Sequence, residues 1–270
     1  MTTPPLSPIR LAKYVSQMRP CSRRDAEHYV AGGWVTVNGV VVEQPNYMIS
    51  NQTVEVLPDA NLKPLLPVTI LLNKPAGYDF GLTDELIKLG LSPTRHSAKP
   101  LTPEQEDLFK HDAMQLLSHE SQAEGDRSGI RPLKSHFQKL NSTLALESAA
   151  SGLVVYTQDR GVARKLIDDG SRVEQEFIVH VAGTLTENEL QRLNQGFYTK
   201  GKLMPPAKVS WQNEEHLRIA LKNVELDQIE AMCNAFGLQV LGMKRLRIGR
   251  LSMSKLAEGQ WRYLLPYEKF

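Results

Sequence analysis

Cysteine is almost missing. The chain of 270 residues has two, Cys21 and Cys233, too far apart for a metal-ligand spacing, and their number argues against a disulfide framework. Both read as buried or idle thiols of a reducing compartment. Long apolar runs are missing too. Met1 to Pro8 holds no signal-peptide core, and no stretch approaches the length of a membrane span, so the expected location is cytoplasmic. There is no glycine-rich phosphate loop, no nucleophile-elbow motif and no cysteine–histidine cluster. P-loop phosphoryl transfer, α/β-hydrolase chemistry and zinc chemistry are therefore without a signal. No internal repeat or low-complexity tract is present.

What is present looks globular. Hydrophobic residues make up 41% and charged residues 23%, ordinary for a soluble protein, and the length suits one large domain or a small one plus a medium one. A net charge of +2 and a pI near 8.4 point only weakly to a polyanionic partner, so the distribution of charge matters more than its sum.

That distribution is uneven at the start. Ile9, Leu11, Ala12 and Val15 give a short helix an apolar side, with Arg10 and Lys13 on the other. Pro20 ends it. Ser22 can cap a second helix, with Asp25 near its positive end, an apolar side of Ala26, Tyr29 and Val30, and a stop at Gly32-Gly33. Trp34 to Val37, the Asn38-Gly39 turn and Val40 to Val42 read as a hairpin, and Thr53 to Val56 as a further strand. Arg10, Lys13, Arg19, Arg23 and Arg24 all fall on the helices and their connection. A solvated charged face would explain them; so would a surface for phosphates.

Asn61 to Pro67 reads as a linker, and Val68 to Leu72 as a buried strand running into Asn73-Lys74-Pro75-Ala76-Gly77. A capping-box helix is expected from Thr102-Pro103, with Leu108, Phe109, Leu116 and Leu117 on its apolar side. His111 and His119 fall on the solvent side. Ser121 to Gly129 is polar and expected to be mobile. Lys134 to Lys139 is a local basic patch. Glu147 precedes the small-residue turn and apolar run Ser151-Gly152-Leu153-Val154-Val155-Tyr156-Thr157; alone, such a glutamate is usually a solvated loop charge. Beyond it, helices are expected over Val162 to Ile167, from Thr186 with Glu189 to about Asn194, and over Val224 to Phe236. Strands are expected over Glu174 to Val181, Lys208 to Trp211, Leu217 to Leu221, Leu238 to Leu241 and the block Lys244 to Leu251.

Several of these stretches resemble one family. The basic helix, the Cys21-Ser22-Arg23-Arg24 helix start and the valine strands around Asn38-Gly39 resemble the αL RNA-binding domain. Asn73-Lys74-Pro75-x-Gly77, the Leu146-x-x-x-x-Ser151-Gly152-Leu153 turn, Arg245-x-Arg247-Ile248-Gly249 and Glu258-Gly259-x-Trp261-Arg262 resemble the RsuA/RluF-type ribosomal RNA pseudouridine synthases. The resemblance implies an α+β fold: a small RNA-binding domain over residues 1–60, a linker over 61–67, and a mixed, mainly antiparallel sheet with flanking helices over 68–270, carrying an insertion at about 84–133. It implies ribosomal RNA as partner, no cofactor, no metal, no membrane and a monomer. RNA contacts would come from Arg10, Lys13, Arg19, Arg23, Arg24, Lys74, Arg245 and Arg247.

The same resemblance marks the catalytic seats, and they are altered. Members of the family flip a uridine into a pocket, where an aspartate acts on the sugar as nucleophile, an aromatic residue stacks on the base and an arginine holds the aspartate ionised. Here Glu147 takes the aspartate position, Phe177 the tyrosine position, Glu230 the arginine position in Asp227-Gln228-Ile229-Glu230-Ala231-Met232, and Ala145 another arginine position of the motif. Glutamate is longer by one methylene, moving the carboxylate by roughly 1 Å, an error able to cost about a hundredfold in rate. Glu147 and Glu230 are expected to face each other, which would raise one pKa, unless Lys74, Arg245 or Arg247 serves as counter-ion. Three functions follow: an RNA-binding family member with weak or lost catalysis, an active synthase using Glu147, or a ribosome-assembly or stress-linked RNA-binding protein. Paired acids at a sugar also suit a glycosidase, which nothing else here supports.

Overall fold

The computed structural model describes residues 7–80, 111–199 and 201–270. They form two units, one running up to Pro67 and taking in Arg131–Lys139, the other covering Val68–Ile130 and Leu140–Phe270. The basic patch expected in the second unit thus folds as part of the first.

In the first unit, α1 (Leu11–Met18) and α2 (Arg23–Ala31) pack beside short strands. The Ser22 hydroxyl accepts from the Asp25 amide at 3.1 Å, and the Asp25 carboxylate accepts from the Ser22 amide at 3.2 Å, the reciprocal cap that fixes where α2 begins. β1 (Ile9–Arg10) pairs with β4 (Met48–Ile49), while β2 (Val35–Val37) lies between β3 (Val40–Val41) and β5 (Val54–Val56). The β2–β3 turn places Asn38 and Gly39 at φ 51° and 79°, the left-handed pair such a tight hairpin requires. Leu11, Val15, Ala26, Val30, Val35 and Ile49 form the core. Arg131–Lys139 lies against it: Leu133 is buried beside Gly33, the Arg131 guanidinium sits 5.1 Å from the Trp34 ring, and the Lys134 amide donates to the Glu43 carboxylate at 2.7 Å.

The second unit is built on one nine-stranded sheet. Its members are β6 (Thr69–Lys74), β7 (Asn141–Ser142), β8 (Ser151–Thr157), β9 (Gln175–Ala182), β12 (Lys208–Trp211), β13 (His216–Leu221), β14 (Gln239–Ile248), β15 (Leu251–Ser252) and β16 (Trp261–Tyr263). β10 (Phe197–Thr199) and β11 (Lys202–Met204) form a separate hairpin. The main order is β12-β13-β9-β14-β8-β6-β16, antiparallel except for the β14–β8 pair, where Arg245 lies beside Gly152. The architecture is α+β with a mainly antiparallel sheet, as the family resemblance implies. Gly152 has φ +113°, and a Cβ there would overlap the Arg245 backbone. Only glycine lets the two strands approach this closely.

Alternation divides the sheet into two faces. Leu71, Leu153 and Val155 pack with Leu166, Val173 and Ile248 on one, beneath a helical turn at Arg160–Ala163 that continues as a wider π-type turn over Arg164–Asp168. Lys74, Tyr156 and Phe177 fall on the other. The helix Glu187–Gln195 begins with the Thr186/Glu189 capping box.

Three expectations change. The helix expected over Val224 to Phe236 runs only over Gln228–Asn234, because Asp227 adopts a left-handed φ of 60° and starts it late; Leu226 is left 56% exposed. Ser121 to Gly129, expected to be mobile, is fastened to β16: the Ala123 amide donates to the Trp261 carbonyl, and the Asp126 carboxylate accepts from the Tyr263 amide and the Gln122 side chain. Most of the helix expected from Thr102 lies outside the described residues. Its described remainder, Ala113–Leu116, is a 3-10 turn capped by Asp112. His111 and His119 are exposed.

Candidate functional site

The loop that carries Glu147 is held at both ends by buried cations. Ahead of it, the Arg245 guanidinium donates from Nη2 to the Leu144 carbonyl (3.1 Å) and from Nη1 to the Ala145 carbonyl (2.8 Å) and Gln175 Oε1 (2.9 Å), while Nε donates to the Leu153 carbonyl (2.7 Å). Behind it, the Lys74 ammonium donates to the carbonyls of Ser148 (3.3 Å), Ala150 (2.6 Å), Tyr78 (2.6 Å) and Pro75 (3.0 Å). Both side chains are fully buried. The Gly77 amide adds a bond to the Ser148 carbonyl at 2.7 Å. The turn is thereby fastened by groups from β6, β14 and the segment after Lys74.

Burial leaves its mark on both cations. It pulls the Lys74 ammonium down to about 8, against the upward pull of Asp79 and Glu147, with Arg245 pushing the same way as burial. It brings the Arg245 guanidinium down to about 9, while the charges of Glu147 and Tyr156 act upward. The neighbouring Tyr156 hydroxyl, bonded to the Phe80 carbonyl at 3.1 Å, is raised far above the usual tyrosine range by burial and then by Asp112. Burial also raises the Asp112 carboxyl. Charge beneath this loop is thus dense and little hydrated, a setting that functional sites favour.

Lys74 and Arg245 were expected to touch RNA, and their positions contradict this. Neither is exposed, and their hydrogen-bond donors point to protein carbonyls and Gln175. Arg247 is diverted as well. Its guanidinium bonds Glu176 and Glu174 at 2.8 Å each, in a network with Arg218–Glu176 at 2.6 Å and Lys208–Glu174 at 2.8 Å.

Glu147 has a backbone partner. Glu147 Oε1 accepts from the Asp227 backbone amide at 3.0 Å, so the carboxylate sits at the start of the helix Gln228–Asn234, where a negative charge suits the exposed amides. Glu230 is exposed one turn along that helix. Among the described residues no hydrogen bond joins Glu230 to Glu147, and Glu147 makes no ion pair. Lys74 and Arg245 feel its charge through space without clasping it. Phe177 is 1% exposed on β9 and lies beside Arg245 in the sheet, two bonded steps from the Glu147 loop. Sequence reasoning missed Gln175, Tyr156, Asp79 and the Asp227 amide. Gln175 left a faint signal as an uncharged polar side chain within the alternating strand run.

The first unit carries its cations outside. Arg10, Lys13, Arg23 and Arg24 are exposed, Arg19 is half-buried with its guanidinium 5.0 Å from the Tyr29 ring, and Arg23 pairs with Glu27 at 3.1 Å. Arg10, Lys13 and Arg23 line one cavity of about 590 Å³ with Ser16, Glu27 and Asn46. Cys21 is half-buried and Cys233 buried, and both are free; burial, with Glu230 nearby, pushes the Cys233 thiol up to about 12, out of reach of thiolate chemistry near neutral pH. Among the described residues no cluster of histidine, cysteine or acidic side chains could hold a metal ion, and no helix is long and apolar enough to cross a membrane.

Comparison with known proteins places these features. Residues 9–54 match the S4 domain. Over 271 aligned residues the chain is 26% identical to the dual-specificity RNA pseudouridine synthase RluF of Escherichia coli strain K12, covering 98% of this chain and 78% of that protein. It is 25% identical over 263 residues to an uncharacterized RNA pseudouridine synthase of Aquifex aeolicus, covering 96% and 94%. A solved pseudouridylate synthase superposes with a TM-score of 0.54 at 20% identity, over 95% of this chain and 96% of that one, a likeness of fold.

Proposed function

We propose that this chain, which resembles the RsuA/RluF-type RNA pseudouridine synthases, binds RNA through its first unit while isomerising uridine weakly or not at all. Residues 1–60 are the RNA-binding domain of this reading, 61–67 its linker and 68–270 the synthase-like domain, save Arg131–Lys139, which folds with the first unit. The partner is ribosomal RNA, met by a monomer in the cytoplasm.

The observation that carries this reading is the company Glu147 keeps. A nucleophilic carboxylate needs a partner that holds it ionised and aimed at the sugar. Here its bonded partner is the Asp227 amide, while the nearest cations spend their donors on backbone carbonyls. The position expected to supply an arginine carries the exposed Glu230, and Phe177 has no hydroxyl to join in proton transfer. On the first unit, exposed arginines and lysines on two helices suit phosphates, giving salt-sensitive binding directed mostly by shape.

A specific observation favours the second reading, an active synthase using Glu147. The loop is clamped on both sides, and such preorganisation is what a catalytic carboxylate requires. The two readings separate when pseudouridine is mapped in ribosomal RNA from cells with the gene, without it, and with Glu147→Gln. The expected result is an unchanged map in all three. A modified position that disappears in both the deletion and the variant overturns the reading of weak catalysis.

A further inference from the structure

A second basic surface lies in the second unit, on the face of the sheet covered by the turns at Arg160–Asp168. A cavity of about 680 Å³ is lined there by Arg164, Lys165, Arg172, Lys222 and Arg250, with Arg247 and Glu174 among its other walls. The first five are exposed, and none makes an ion pair among the described residues. Arg247 is different: Glu174 and Glu176 neutralise it, and Glu174 is further occupied by Lys208. The uncompensated charge therefore sits on the five exposed cations, against Asp169 as the remaining acid of the lining. A second cavity of about 500 Å³ shares Lys165 and Arg250 and adds Lys269, against Asp159 and Glu268, the latter paired with Arg262; the strongest positive charge of this basic track therefore stays with the first cavity.

We propose that this track is a second binding site for the sugar–phosphate backbone of RNA, distinct from the S4 surface and on the opposite face of the sheet from Lys74 and Phe177. It rests on the RNA-binding reading above. The five cations stand on four separate segments, Arg164 and Lys165 sharing one, and all are exposed. That arrangement suits successive phosphates spaced along a strand, each neutralised by a flexible cation. It does not suit one small anion, which needs converging, desolvated donors.

The test uses the full chain and a fluorescent RNA hairpin, with anisotropy titrations at several salt concentrations. Arg164→Ala/Lys165→Ala/Arg250→Ala is expected to weaken binding about tenfold near 0.1 M salt and to reduce the slope of log affinity against log salt by roughly 2 to 3, since each neutralised phosphate contributes about 0.9. Arg172→Ala/Lys222→Ala, on other segments, should reduce the slope by roughly 2 and serves if the triple variant does not fold. Arg127→Ala/Lys255→Ala, elsewhere on the same unit, should change neither quantity. If wild type fails to bind, the RNA-binding reading and this site both fall. If Arg23→Ala/Arg24→Ala weakens binding but the track variants do not, the track proposal alone falls, and an acidic protein segment becomes the better occupant. Equal losses in the track and control variants mean general charge attraction and also overturn it.

Discussion

The cations on the first unit's helices and the two beneath the Glu147 loop are the same residue types used in opposite ways. The first unit holds Arg10, Lys13, Arg23 and Arg24 in water, where a cation costs little to keep charged and meets a mobile partner. The second holds Lys74 and Arg245 out of water, where each must be surrounded by oxygens to be tolerated at all. An exposed cation acts at long range and is screened by salt. A buried one acts at contact and fixes the backbone whose carbonyls it gathers. The lesson is that charge in a sequence does not reveal whether it recognises or builds; burial decides, and burial is a property of the fold.

The comparison breaks most readily at Arg245. Arg245→Met keeps much of the apolar stem but leaves the carbonyls of Leu144, Ala145 and Leu153 without their donors. Losing a buried hydrogen-bonded charge of this kind should cost about 3 kcal/mol or more, a fall in Tm of roughly 6–12 °C for a chain of this size. Arg23→Ala/Arg24→Ala should stay within about 0.5 kcal/mol of wild type, as exposed substitutions do. Thermal and urea unfolding check both, and a larger loss in the double variant than in Arg245→Met would reverse the assignment of roles.

Lys74 offers a pH test of the same idea. Its folded value near 8 lies below the 10.5 of the free side chain, so the unfolded chain binds the proton more tightly. The cost of burying this charge is fully present below pH 8 and is relieved as pH rises from about 8 to 10.5, where wild type gains stability. Lys74→Met lacks that term. The stability of wild type relative to the variant should therefore rise across this window, by on the order of 2 kcal/mol. Urea midpoints at pH 7.5 and 10 measure it; a constant difference would show that Lys74 is not held in a dry site.

Most of the first unit was legible in the sequence because its signals are local. Ser22 with Asp25, Asn38-Gly39 and the alternating valines each act within a few residues. The second unit's strands were legible for the same reason. What stayed hidden depends on distant partners. Periodicity does not see the left-handed turn at Asp227 that shortens a helix. It does not see that Arg131–Lys139 packs on a unit that begins more than a hundred residues earlier. Lys74 and Arg245 read as RNA contacts or counter-ions to Glu147, since such side chains are rarely buried as backbone clamps; only the parallel pairing of β14 with β8, enabled by Gly152, places Arg245 under the loop.

Binding sharpens the contrast from the other side. Arg23→Ala/Arg24→Ala, neutral for stability, should weaken RNA affinity about tenfold and lower the salt slope by roughly 1 to 2. A heparin titration run in parallel distinguishes recognition of RNA shape from attraction to any polyanion. If neither RNA affinity nor slope changes, the exposed cations of the first unit are solvated surface and the contrast loses one of its terms.

The smallest effect tests whether the units respond separately. Among the described residues each contains a capping box, Ser22 with Asp25 and Thr186 with Glu189, and the two share the same geometry at exposed helix starts. Ser22→Ala and Thr186→Ala should each cost about 1 kcal/mol. Because the motif is alike and only its unit differs, the pair isolates context from chemistry. If each unit unfolds on its own, followed through Trp34 in the first and Trp211 and Trp261 in the second, each substitution should lower the transition of its own unit and leave the other within error. Equal shifts of a single shared transition by both variants would mean that the units fold as one cooperative body, and that the division of labour between outer and inner cations is not matched by a division of stability.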